Sequence, residues 1–130
     1  SDFVTIHCPL NRETKGMIGA AELALLKPSA YLLNAARGGI ADEQALLEVL
    51  RQKKIAGAAL DVMADEPPAK GHPLLKLDNV LWTPHVGAMT LEAAQRGEWG
   101  AAAEVIRVLE GKRPKNPVFP ADQTHMPTTA

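Results

Sequence analysis

Cysteine is nearly absent from this chain: Cys8 is the single example, so no internal disulfide can form. There is also no signal-peptide pattern and no long uncharged apolar run. A reducing, cytoplasmic setting without membrane insertion is therefore the expectation. Neither sign of charge prevails, because 14 Lys and Arg against 15 Asp and Glu leave a formal net charge of -1. A surface that tracks phosphates needs a basic excess, so neither nucleic acid nor an anionic membrane is an expected partner. Ligand spacings of the metal-binding kind are missing too, and no metal is expected. Internal repeats are absent, which excludes a solenoid.

What the chain does have is enough apolar residue, 46% of 130, to bury a core. The pattern alternates. "FVTIHC" is a short β-branched run that reads as a strand, and "GAAELALLKPS" as a short helix closed by Pro28, which cannot continue a helical ladder. "AYLLNAA" is a continuous apolar run that suits a strand covered on both faces. The helix "DEQALLEVLRQKK" follows, with Asp42 as N-cap, Leu46, Val49 and Leu50 on one stripe, and Lys53 and Lys54 at the negative end of its dipole. Two more strand-like runs, "IAGAALDV" and "VLWTPH", flank the polar, proline-bearing loop "MADEPPAKGHPLLKLDN". Thr90 then caps a long helix whose stripe of Trp99, Ala102, Ala103, Ile106 and Leu109 reads as core or interface. The order implies βαβ units: an α/β fold with a mostly parallel sheet and flanking helices. The proline-rich stretch 119–130 reads as an extended or disordered tail.

In an open parallel sheet, ligands bind outside the carboxyl ends of the strands. Three of the four strand ends carry a polar residue with chemistry to offer. Arg37 follows "AYLLNAA", Asp61 and then Glu66 follow "IAGAALDV", and His85 closes "VLWTPH". Arg37 can grip a carboxylate in a two-pronged geometry that lysine cannot copy. A histidine such as His85 ordinarily titrates near pH 6.5 and so exchanges protons around neutrality. Glu66 can hydrogen-bond the imidazole, orient it and favour its protonated form. Gly38 and Gly39 allow a tight turn and close approach of a ligand. Judged one at a time, the blander readings are a surface ion pair for Arg37, a solvated loop carboxylate for Glu66 and a turn cap for Asp61. His7 and Cys8 read as strand-end packing.

Taken in order and spacing, "NAARGGIADEQAL", "GAALDVMADEP" and "NVLWTPHVGAMT" resemble the C-terminal half of the nucleotide-binding domain of the D-isomer-specific 2-hydroxyacid dehydrogenases. That group includes phosphoglycerate dehydrogenase and glyoxylate/hydroxypyruvate reductase. The resemblance covers roughly residues 1 to 118 and implies that they form the C-terminal part of an NAD(P)-binding domain, a partial Rossmann-like parallel sheet with flanking helices. It implies hydride transfer between NAD or NADP and a small D-2-hydroxy or 2-keto acid, with Arg37 anchoring the substrate and Glu66 paired with the general acid/base His85. It further implies that Cys8, Pro9, Leu10 and Thr14 line the adenosine side of the cofactor. Ala35, Ala36, Arg37, Asp61, His85, Gly87 and Ala88 would surround the nicotinamide, with Asp61 meeting its carboxamide. A homodimer is the expected assembly.

The departures are equally informative. No G-x-G-x-x-G occurs, nor the acidic residue expected some 20 residues beyond it, nor a separate substrate domain. NAD and NADP therefore both stay open, as does the identity of the 2-hydroxy acid. The chain opens already in a strand and reads as part of a longer protein, so the 130 residues by themselves are expected to be inactive. A sheet cut before that strand would leave an open edge, expected either to self-associate or to meet an N-terminal half. Two alternatives of other classes remain: a nucleotide-sensing corepressor-like binding protein with the same motifs, and an inactive structural remnant.

Overall fold

The computed structural model describes residues 1–118. It divides into two compact units, Ser1–Ala88 and a second that begins at Met89. In the first, four strands form one wholly parallel sheet in the order β1 (Phe3–Ile6), β2 (Tyr31–Asn34), β3 (Gly57–Leu60) and β4 (Val80–Trp82). Helix α1 (Ala20–Leu23) links β1 to β2, and α2 (Glu43–Arg51) links β2 to β3. A short 3-10 helix, Pro73–Lys76, precedes β4. All four carboxyl ends therefore lie along one sheet edge, as the alternating pattern requires.

Local chemistry explains the helices. The Asp42 side chain accepts from the Ala45 amide at 2.9 Å and so caps α2, with Glu43 in the first turn and Arg51 in the last. Its stripe of Leu46, Leu47, Val49 and Leu50 is buried. Lys53, with φ of 52°, turns the chain out of the helix, so the two lysines lie beyond its last turn. Helix α1 is far shorter than "GAAELALLKPS" suggests. Its four residues are followed by a hydrogen-bonded turn, Leu26 N–H to Leu23 C=O, so the ladder stops before Pro28.

These elements cover one sheet face. Ile6, Leu32, Ala58 and Leu60 meet Leu23, Leu46, Leu50, Ile55 and Leu74 in a single buried cluster. Each such leucine contributes about 1.5 to 3 kcal/mol through loss of water contact. On the opposite face, within this unit, Phe3 and Leu81 are each 67% exposed and Tyr31 is 45% exposed. The Phe3 and Tyr31 rings stack at 5.7 Å across the outer strand pair. The two-face burial expected of "AYLLNAA" thus does not hold here: side chains alternate along β2, with Leu32 and Asn34 buried and Tyr31 outward.

The second unit holds α3 (Leu91–Leu109), whose N-cap Thr90 accepts from the Ala93 amide at 3.1 Å. Trp99 and Leu109 are 75% and 82% exposed, so of the two readings of the stripe, core or interface, the described residues do not show a core. The tail expected over 119–130 lies outside the described residues. Among the described residues no helix is long and apolar enough to cross a membrane.

Burial separates two leucines of the same size. Leu46→Ala, at a position 1% exposed, is expected to cost about 2 to 5 kcal/mol in urea denaturation. Leu25→Ala, at a position 85% exposed, should stay within about 0.5 kcal/mol of the parent. Equal losses would contradict the one-sided core.

Candidate active site

Each of the residues singled out above sits in the first unit, on a loop at or just beyond a strand's carboxyl end. The loop after β2 is held from within the strand. Asn34, the one buried polar side chain among the described residues, donates Nδ2 to the Arg37 carbonyl at 2.9 Å and accepts from the Ala36 amide at 3.1 Å. Burial obliges an amide to find such partners, and here they fix the turn that presents Arg37. The Arg37 side chain is exposed and donates Nη1 to the Ala36 carbonyl at 2.6 Å. Its other N–H groups remain for a ligand. Gly39 has φ of +77°, the left-handed region that glycine enters freely. Gly38 serves another purpose: a Cβ there would lie 1.9 Å from the Met63 carbonyl oxygen. The close approach it allows is to backbone, not to a ligand.

The loop after β3 carries two carboxylates with different partners. Asp61 accepts from the Thr83 hydroxyl, from the Val86 amide at 2.9 Å and from the Gly87 amide at 2.8 Å. Those three donors hold its carboxyl below the usual aspartate range, with the Thr83 contact the largest cause. Glu66 accepts from His85 Nδ1 at 2.8 Å on one oxygen and from the Met63 amide at 2.9 Å on the other. The His85 hydrogen bond, then the Met63 amide, draw the Glu66 carboxyl below the usual glutamate range, and the nearby Arg37 charge adds to this.

His85 itself has φ of 54°, a left-handed backbone that costs a non-glycine residue about 1 kcal/mol or more. Its amide donates to the Asp61 carbonyl at 2.8 Å, so the same residue that organises the following loop also pins the histidine. With Nδ1 taken by Glu66, Nε2 is the ring nitrogen left for a further partner. The imidazole is partly open to solvent, at 45% side-chain exposure.

Two cavities gather most of the expected residues, and a third, of about 110 Å³, is lined by both Ala35 and Asp61. One, of about 630 Å³, is lined by His7, Cys8, Pro9, Leu10, Ala35, Ala36 and Arg37. The other, of about 190 Å³, is lined by Asp61, Glu66, Pro67, Pro68, Trp82, Pro84 and His85. Thr14 lines neither. Its hydroxyl donates to the Pro9 carbonyl at 2.6 Å and so shapes the loop that begins at Cys8. Gly87 and Ala88 continue the segment tied down by Asp61, and a Cβ on Gly87 would come within 2.9 Å of an Asp61 oxygen. His7, read as packing, is exposed instead and meets the Thr5 hydroxyl at 2.8 Å. Sequence reasoning missed Asn34 and Thr83. Period-two alternation offered a signal for Asn34, a polar residue on the covered face of an apolar strand.

Comparison with known proteins points to one family. The family model for the D-isomer specific 2-hydroxyacid dehydrogenase, NAD binding domain, matches residues 1–87. A D-3-phosphoglycerate dehydrogenase of Methanocaldococcus jannaschii is 48% identical over 118 residues, which is 91% of this chain and 22% of that protein. A glyoxylate reductase of Thermofilum pendens is 47% identical over 88% of this chain and 34% of its own length. Among solved structures, the NAD-complexed D-isomer specific 2-hydroxyacid dehydrogenase of Lactobacillus delbrueckii superposes with a TM-score of 0.84 at 34% identity, over 92% of this chain and 40% of that one. The chain thus spans between about a fifth and a third of the length of these curated relatives.

The lowered carboxylates predict a pH dependence with a definite sign. Each contributes stability that is complete above its unfolded value, near 4.5 for Glu66 and 3.8 for Asp61, and that is lost as pH falls through the lower folded value. Glu66→Gln should therefore flatten the acid limb of a plot of urea midpoint against pH. An acid limb as steep as the parent's would show that Glu66 carries no native-state preference for its ionised form.

Proposed function

The chain belongs to the D-isomer specific 2-hydroxyacid dehydrogenase NAD binding domain family, and on that premise we propose that it supplies the acid/base and substrate-anchoring half of a dehydrogenase active site. Residues 1–118 would form the C-terminal part of the NAD(P)-binding domain of a longer protein, whose reaction interconverts a 2-oxo acid and a D-2-hydroxy acid. The observation that carries this reading is the His85–Glu66 contact of 2.8 Å, at the same sheet edge as Arg37.

Cofactor binding is supported by the shape of the strand ends. A cavity of about 630 Å³ is within the range of small-molecule sites, and the small side chains of Ala35 and Ala36 leave its wall open beside Arg37. Cys8, Pro9, Leu10 and Thr14 would hold the adenosine side. Ala35, Ala36, Arg37, Asp61, His85, Gly87 and Ala88 would hold the nicotinamide side. Asp61 suits that role because one of its oxygens accepts only the Gly87 amide, which leaves acceptor capacity for a carboxamide N–H. When bound, the nicotinamide group supplies or receives the hydride.

The remaining steps belong to this chain's own residues. Arg37 grips the substrate carboxylate with the N–H groups not used by Ala36 and draws charge toward the carbonyl oxygen. His85, protonated, delivers a proton from Nε2 to that oxygen as the alcohol forms, and takes it back in the reverse direction. Glu66 stays ionised throughout. It accepts from Nδ1, holds the ring plane and balances the imidazolium charge. Relatives named glyoxylate reductase and D-3-phosphoglycerate dehydrogenase make small, polar 2-oxo acids the substrate class to assay first.

In the full-length protein, His85→Ala is expected to lower kcat/KM for NADH-dependent glyoxylate or hydroxypyruvate reduction by about 100-fold or more. Arg37→Lys should raise KM for the 2-oxo acid roughly tenfold, because an ammonium cannot reproduce the two-pronged grip. A loss of less than about tenfold for His85→Ala would sink the acid/base assignment.

A further inference from the structure

Glu66 sits on a loop, residues 61–72, with no helix or strand of its own, yet it must meet His85 within hydrogen-bond distance. What fixes it comes from the start of α2. The Glu66 oxygen that does not face His85 accepts from the Met63 amide, and the next amide along, Ala64, donates to Glu43 Oε1 at 2.6 Å. Glu43 is the first residue of α2, only five residues beyond Gly38. Gly38 lies against the Met63 carbonyl. The Met63–Ala64 peptide is thus held at both its polar atoms by one short segment, with the carbonyl packed on Gly38 and the N–H bonded to Glu43.

The second Glu43 oxygen faces His72 Nε2 at 3.7 Å, at the far end of the same loop. Both side chains are about three-quarters buried, at 23% and 24% exposure. His72 Nδ1 is buried without a hydrogen-bond partner, and Glu43 is the acidic group that its other ring nitrogen faces. One carboxylate therefore touches both ends of the stretch 64–72 that contains Glu66. A charged acceptor paired with a backbone amide is among the stronger hydrogen bonds a loop can make. Asp42 caps α2, so Glu43 is free of that duty.

We propose that Glu43 is a positioning residue for the acid/base pair: by fixing the Met63–Ala64 peptide it sets where Glu66 meets His85, and it couples the Arg37 loop to the Glu66 loop. The inference rests on the reading of Glu66 and His85 as that pair, but its test does not require turnover.

The Glu66 carboxyl carbon is titrated by ¹³C NMR in the 130-residue chain and in three variants. Glu43→Ala removes the acceptor, and Glu43→Asp keeps the charge at the helix start but falls short of the Ala64 amide. Both should move the Glu66 midpoint upward, toward the ordinary 4.5. Glu43→Gln retains an oxygen at the same reach and should titrate with the parent. Because Glu43→Asp is mild, it remains informative if Glu43→Ala fails to fold. A folded Glu43→Asp with the parent's Glu66 midpoint overturns the proposal, and so does a Glu43→Gln that behaves like Glu43→Ala. A weak effect of His85→Ala on turnover, with these titrations as expected, would fault the acid/base reading and leave the positioning role standing.

Discussion

The arrangement depends on the close approach of Gly38 to the Met63 carbonyl. A methyl group at position 38 would overlap that oxygen at 1.9 Å, a separation no relaxation of a side chain can relieve, because the obstacle is backbone. With glycine there, the loop after β2 and the loop after β3 pack directly on one another. Arg37 is the residue before the contact and Glu66 lies three residues beyond it on the partner loop. Neighbouring parallel strands bring the two loops to the same edge, and the missing side chain lets them touch.

Around that contact, carboxylates act chiefly as acceptors for backbone. Asp61 gathers the Thr83 hydroxyl and the Val86 and Gly87 amides, Glu66 takes the Met63 amide, Glu43 takes the Ala64 amide and Asp42 takes the Ala45 amide. Loops without a ladder of their own must satisfy their amides somehow. Ionised side chains do so strongly and directionally, and they leave the loop with one preferred geometry. The cost is acid sensitivity, since protonation removes the acceptor charge on which those loops rely.

Much of this was legible in the sequence. The strand runs, the Asp42 and Thr90 caps, the parallel sheet and the grouping of Arg37, Glu66 and His85 at strand ends all follow from periodicity and residue chemistry. The failures have identifiable causes. An apolar strand reads alike whether one face or both are covered, so the bare side of Tyr31 and Leu81 was invisible. Helix α1 was overestimated because leucines beyond Leu23 prolong the apolar pattern after the ladder has ended. The stripe on α3 obeys helical spacing, yet spacing says nothing about what covers it. Gly38 signalled closeness correctly but not its object. The hydrogen bond of Glu43 was hidden because it joins residues whose proximity only the folded loops create, whereas Asn34 bonds within its own turn and was signalled only by its place on the covered face.

His85 shows how such a network bears on chemistry. A left-handed φ of 54° places the residue where most side chains are disfavoured, so the conformation persists only because its surroundings impose it. The imposed contacts are on record at both ends: the His85 amide on the Asp61 carbonyl, and Val86 and Gly87 on the Asp61 carboxylate. A relaxed backbone at 85 would swing the imidazole away from Glu66 and lose the 2.8 Å contact. For the acid/base role proposed for His85, a displacement of about 1 Å is costly, so a site on loops gains from being tied at several points. The strain at His85 and the ties that maintain it thus serve one end, a single ring orientation held before any ligand arrives.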